Sequence, residues 1–209
     1  MDSHPGPSGR RERAKQDKLR RIMDAARALF AEHGIGAVTT QQIAERADVA
    51  IGTLYLYAST KAELLILVQN QKFAAAIDDG LTAARAAASA GTPTVGTVLA
   101  LVEPIVACIR EHPENGRTYL HELVFGDPAE PHRREGLTLS FRLEAGLTDI
   151  LSNDAEIHPC DADPLARVVT SIIHVTTTAS VYLRETPTEI LDQIRRQVTA
   201  VLPHHGHAA

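Results

Sequence analysis

Between Val38 and Lys61 the chain gathers side chains suited to hydrogen bonding at another molecule's surface. Gln41 and Gln42 carry amides, which can bond bidentately to an adenine edge. Thr40, Thr53, Tyr55 and Tyr57 carry hydroxyls, and Lys61 carries a charge that suits a phosphate. Ile51 and Gly52 add an apolar, close-fitting surface of the kind a thymine methyl requires. These groups need elements to hold them. Thr39 is a good N-cap, and Gln42 three residues on can close a capping box. Ile43, Ala44 and Ala47 then share one face of a helix about two turns long. Asp48-Val49 carries a tight turn, with Val49 plugging the gap, and the next helix turns Leu54 inward. Helices under about 12 residues are marginal alone in water, so an outer face this small must exist for contact. The arrangement is a helix-turn-helix, whose second helix enters the DNA major groove.

The run Thr39-Thr40-x-x-Ile43-Ala44, then Gly52-Thr53-Leu54-Tyr55-x-Tyr57, then Lys61-x-Glu63-Leu64, resembles the DNA-binding signature of TetR-type repressors. The resemblance spans roughly residues 15 to 65, and the rest of the chain offers only a compatible helical pattern. Two positions depart from the usual pattern. Ala50 stands where a capping serine is common, a difference of about 1 kcal/mol. Ala58 stands where an aromatic residue usually packs, which removes core volume at that corner. The resemblance implies an all-α fold with a three-helix head and a helical bundle body. It also implies a homodimer formed through the last two helices, a palindromic operator in double-stranded DNA, and a small-molecule effector that enters the body and moves the helix after the head. A dimer would pair the operator half-sites by two-fold symmetry.

The formal charge of −5 looks wrong for such a protein until it is divided. Residues 1 to 61 hold 10 Lys+Arg against 7 Asp+Glu, a net of +3, and residues 62 to 209 hold 11 against 19, a net of −8. Phosphate binding depends on the local patch and not on the total. Apolar residues make up 44% of the 209, enough for a core, and no run approaches the 18 or so that a membrane span needs. The N-terminus has no apolar h-region, so a secretory signal is not expected, and Cys108 and Cys160 read as reduced thiols of a cytoplasmic protein.

Taken in order, residues 1–12 read as a flexible basic arm that follows phosphates or enters the minor groove. Residues 13–60 read as the helix-turn-helix domain, with a first helix from Arg13 to His33 ended by Gly34. Residues 61–203 read as the ligand-binding and dimerisation body, and 204–209 as a disordered tail whose histidines chelate metals only adventitiously. In the body, Thr60 and Glu63 form a second capping box, and an alanine-rich run from Leu81 to Ala90 prolongs that helix. Further helices are predicted at 94–111 with Pro104 inside, at 117–125 after a turn at 112–116, and at 132–153. The last pair is predicted at about 164–184, capped by Asp163 and apolar on more than one face, and at 188–202, opened by Thr188.

No phosphate-binding glycine loop, nucleophile elbow or C-x-x-C pair is present, so no enzyme activity, no cofactor and no metal site is expected. The His158-Pro159-Cys160-Asp161 segment has metal-ligating atoms but no spacing that fixes a geometry. Candidates to line an effector cavity are Val106, Ile109, Tyr119, His121, Phe125, Phe141 and His174. The body's helices are largely aliphatic, which favours an apolar effector over a polyanion. The competing reading is a helical small-molecule-binding or enzymatic protein whose N-terminal segment only packs. It leaves the Thr53/Tyr55/Tyr57 face beside Lys61 without a use.

Overall fold

A computed structural model describes residues 7–203, with side chains from Arg11 onward, and every regular element among these residues is helical. The fold is all-α. The chain divides into two compact units, Met1–Gln69 and Asn70–Ala209. The division lies inside the helix expected to open the body, not at its start.

In the first unit, α1 spans Pro7–Ala37, starting earlier than expected and breaking at Gly34, where its end was expected. Residues 7–12, read as a flexible arm, are helical. Pro7 presets the dihedral of a first helical residue. The charged residues that follow are good helix formers, and the Gln16 amide donates to Glu12 one turn back at 3.4 Å. Residues 1–6 of that arm lie outside the described residues, as does the tail 204–209. Gly34 interrupts α1 with φ 74° and ψ 160°, a backbone only glycine adopts at little cost. α2 (Thr40–Arg46) opens with the expected capping box: Gln42 N donates to Thr39 Oγ1 at 3.2 Å and Thr39 N to Gln42 Oε1 at 2.8 Å. α3 (Ile51–Leu54) has only four residues, and Ala50 before it supplies no side-chain cap. Ile22 and Phe30 of α1 are buried in this unit with Ile43, Ala44, Ala47, Leu54 and Ala58.

α4 (Lys61–Ser89) begins in the first unit and continues into the second, with the alanine-rich run as its end. The Thr60 side chain caps it as expected. Glu63 N donates to Thr60 Oγ1 at 3.1 Å, and the Glu63 carboxylate accepts from the backbone and hydroxyl of Ser59. The second unit adds α5 (Thr94–Arg110), α6 (Pro113–Phe125), α7 (Pro131–Ser152), α8 (Ala162–Thr178) and α9 (Pro187–Val201). α5 is the central helix, lying against α6, α7, α8 and α9. It runs through Pro104 and buries Val98, Leu101, Val102, Ile105, Val106 and Ile109 almost completely. At Gly80 a Cβ would stand 2.2 Å from the Leu101 carbonyl oxygen, so only glycine lets α4 approach α5 this closely.

Three boundaries differ from expectation. α6 starts at Pro113, because proline at the first helical position turns the expected loop into a helix start. α8 opens at Ala162 after Asp161, two residues ahead of the expected Asp163 cap, and Pro164 is tolerated because it still lies in the first turn. It ends at Thr178, well short of 184, and Ser180–Tyr182 forms a separate 3-10 turn. α9 is opened by Thr186 and not Thr188: Thr186 and Glu189 form a complete capping box with Pro187 between them.

The early end of α8 has a distant cause. Arg110, on α5 and only 5% exposed, donates from Nη1 to the Thr177 carbonyl at 3.3 Å. Its Nη2 reaches the carbonyls of Tyr182 at 3.0 Å, Leu183 at 3.2 Å and Glu185 at 2.6 Å. One guanidinium thus collects the chain between α8 and α9. Buried carbonyls left without a donor cost about 1–3 kcal/mol each, so Arg110→Met should destabilise the protein by at least about 2 kcal/mol in urea unfolding. An unchanged midpoint would show that the carbonyls find water instead.

Candidate nucleic-acid interface and effector cavity

The outward surface of α2 and α3 carries most of the expected groups. Gln41, Gln42, Gly52 and Tyr55 are exposed, while Thr40, Ile51, Thr53, Tyr57 and Lys61 are half-buried. The Thr40 and Tyr55 hydroxyls lie 3.2 Å apart and bridge the two helices. Gln41 donates to Glu45 at 2.8 Å along the solvent face of α2. Next to Tyr55, Leu56 is 83% exposed. It was no candidate, because a helix of four residues is too short for periodicity to assign its flank a direction.

Three of the expected contact groups are tied to the unit's own backbone. The Tyr57 hydroxyl donates to the Lys15 carbonyl on α1 at 3.0 Å. The Lys61 ammonium donates to the Val38 carbonyl at 2.8 Å, pinning the start of α4 to the end of α1. The Gln42 oxygen, which a bidentate adenine contact would use, closes the α2 cap. A fourth strut was not anticipated. Asp48, in the turn between α2 and α3, has φ 51°, the only positive φ of a non-glycine residue among those described. Arg21 Nη1 grips both its carbonyl and its carboxylate at 3.1 Å. Aspartate tolerates this left-handed backbone better than most residues, and the arginine contact offsets what strain remains.

In the second unit an apolar cavity of about 140 Å³ is lined by Phe73, Ile105, Ile109, Leu120, Ile173 and His174 among others. Of the expected lining residues, Ile109 and His174 are there. His121 and Phe125 lie in a separate, wider cleft of about 470 Å³, which His174 also lines. Val106 and Tyr119 are fully buried core, and Phe141 is 66% exposed. The helical pattern alone could not separate these faces, since α5 is apolar nearly all round. Burial, and then the neighbouring His121, hold the His174 imidazole below its ordinary pKa.

A polar network missed in the sequence borders the cavity. The Tyr119 hydroxyl donates to Asn70 Oδ1 at 2.9 Å, and Asn70 Nδ2 donates to the His132 carbonyl at 2.9 Å and to Glu135 at 3.2 Å. Phe73, which lines the cavity, packs edge-on against Tyr119 with ring centres 5.6 Å apart. The network ties α4 to α6 and α7 within the second unit. Burial pushes the Cys108 thiol up to about 11, so it keeps its proton and is a poor nucleophile. His158, Cys160 and Asp161 bring three ligand atoms within 4.8 Å of one another, all on an exposed loop.

Comparison with known proteins fits this geometry. Residues 22–68 match the model of the bacterial regulatory proteins, tetR family. The HTH-type transcriptional repressor KstR of Mycolicibacterium smegmatis is 41% identical over 80 residues, which is 38% of this chain and 38% of that protein. The chain thus matches well under half the length of this curated relative. The Thermus thermophilus FadR repressor, solved with lauroyl-CoA, superposes with a TM-score of 0.66 at 20% identity over 91% of this chain and 98% of its own. Bacillus subtilis FadR, solved with stearoyl-CoA, gives 0.66 at 18% identity over 88% of this chain and 100% of its own. Residues 22–68, which hold the helix-turn-helix and its capping box, thus match the DNA-binding segment of the tetR regulatory proteins, and the chain as a whole shares the all-α fold of these solved structures.

Proposed function

We propose that the chain is a ligand-responsive transcriptional regulator, a repressor that binds a palindromic operator as a homodimer in the bacterial cytoplasm. The observation that carries this reading is the outward surface of α2 and α3. Gln41, Gly52, Tyr55 and Leu56 are exposed there, and no packing need within the unit explains them. Thr40, Ile51 and Thr53 flank them at half depth. In this reading Gln41 is the main amide reader, since the Gln42 oxygen is held in the cap. Tyr57 and Lys61 act first by positioning α3 and α4, and the two remaining ammonium donors of Lys61 face a phosphate.

Dimerisation through the last two helices is supported by the unpartnered side of α8. Val168 is 42% and Val175 58% exposed one heptad apart, with half-buried Ile172 between them, while Val169, Ile173 and Thr176 fill the core side. The effector reading is supported by the apolar cavity beside Asn70 and Tyr119, because α4 runs from that network to the head. The fatty acyl compounds held by the two structural neighbours point to an effector of that kind. Helix-terminal elements that absorb such a change are a common switching device.

Fluorescence-anisotropy titration against DNA from upstream of the gene, with a scrambled duplex as control, should give a preference of about 10³ or more. Both affinities should fall steeply with salt as phosphate contacts release counterions. Equal weak binding, followed by no enriched palindrome in a selection from random DNA, would sink the reading. Gly52→Ala separates contact from folding. A Cβ at Gly52 meets nothing within 4 Å, so the variant should be as stable or more so, by up to about 1 kcal/mol, yet bind the operator more weakly. Tyr55→Ala should lose at least tenfold in operator affinity with the helical content intact. For the dimer, Val168→Asp combined with Val175→Asp should shift sedimentation from two chains to one. Unchanged sedimentation would place the interface elsewhere.

A further inference from the structure

The apolar cavity and the wider cleft of the second unit have one side chain in common, His174. Neither is a complete site for a small molecule. The cavity, at about 140 Å³, falls below the ~300–1,000 Å³ of pockets that enclose a drug-sized ligand, and apart from Ser140, Thr170 and His174 its lining is hydrocarbon. The cleft, at about 470 Å³, reaches that size, but Glu114, Arg117, Thr118, His121, Phe125 and Thr178 line it with mostly polar groups.

Their chemistry is complementary. Arg117 is half-buried and has no hydrogen-bond or ion-pair partner among the described residues. Its guanidinium is a fixed fork of donors that matches a carboxylate or a phosphate. Glu114, one turn earlier on the same helix, offers acceptors, and Thr118 offers a hydroxyl. The His121 and Phe125 rings, with centres 5.1 Å apart, add a flat surface. The cleft therefore suits a group that is anionic at one place and a hydrogen-bond donor at another. A bare hydrocarbon would leave Arg117 unused, and a polyanion alone would leave the cavity empty.

Resting on the regulator reading above, we propose that the effector is an amphiphile whose hydrocarbon chain enters the cavity past His174. Its extended polar head, with an anionic group on Arg117, occupies the cleft. A fatty acid and an acyl thioester of a polar carrier share the chain and the negative charge, and they differ in the size and donors of the head. The cleft's volume and its mixed signs favour the thioester. His174, kept neutral mainly by burial, lets hydrocarbon pass between the two without meeting a charge.

The test is calorimetric titration of the full-length protein with lauroyl-CoA, dodecanoate, 1-dodecanol and coenzyme A alone. Lauroyl-CoA should bind at least tenfold more tightly than any of the other three. Arg117→Met should weaken lauroyl-CoA at least tenfold and leave 1-dodecanol unchanged, while Arg117→Lys restores part of the loss. Melting curves of both variants show that they are folded. The proposal is overturned if 1-dodecanol or coenzyme A alone binds as well as lauroyl-CoA, or if Arg117→Met loses nothing. Equal binding of dodecanoate overturns the extended head. Operator binding is measured on the same samples without any acyl compound. If it persists while no acyl compound binds, only the amphiphile fails; if it is absent from the unaltered protein, the regulator reading fails.

Discussion

A helix of four residues makes almost no intrahelical hydrogen bonds, so α3 cannot hold its own shape. Everything the head presents outward depends on supports from behind. Leu54 and Ile43 are fully buried and supply the apolar anchor. Around them stand three side-chain-to-backbone struts: Tyr57 to Lys15, Lys61 to Val38 and Arg21 to Asp48. Those to Val38 and Asp48 satisfy main-chain carbonyls at a helix end and in a turn, where regular pairing runs out, and that to Lys15 ties the end of α3 to the flank of α1. Polar residues that look, one by one, like ligand contacts are in part the scaffold for the contacts.

This explains what could be read from the sequence and what could not. The α2 capping box, the break at Gly34 and the alanine-rich end of α4 follow from residues within a few positions of one another, and all three are present. Two-sided apolarity in α8 was likewise legible from its period, and the structure resolves it into a buried and an exposed side. The partners of Tyr57 and Lys61 lie 42 and 23 residues away, and no local pattern specifies them. The same holds for Arg110, whose four carbonyl partners end α8 ahead of its expected limit. Among the cavity candidates, Val106 and Tyr119 belong to the core and Phe141 to the surface, because helices apolar on several sides do not reveal which side faces a void. Arg117 passed unnoticed because an arginine on a short helix reads as solvated until a cleft is seen beside it.

The body places its few buried polar groups at joints. Arg110 gathers the α8–α9 connection, and the Asn70–Tyr119 pair ties α4 to α6 and α7. Buried polar networks discriminate between packings, since a shift of one turn would strand each donor and acceptor. The aliphatic contacts of α5 tolerate small slides, whereas these joints do not. They give the helix that leaves the body for the head a defined register against its neighbours.

The double duty of Gln42 bears on how this protein can acquire new binding preferences. Its amide oxygen receives the Thr39 N–H while its side chain lies on the exposed face of α2. Any replacement other than glutamate loses the reciprocal half of the capping box, while the Thr39 side chain still caps through the backbone of residue 42. Gln41 next to it donates to Glu45 on the solvent side and takes no part in the cap. Adaptive drift therefore has an unequal pair of neighbours to work with, one free to vary and one held by the architecture it helps to start.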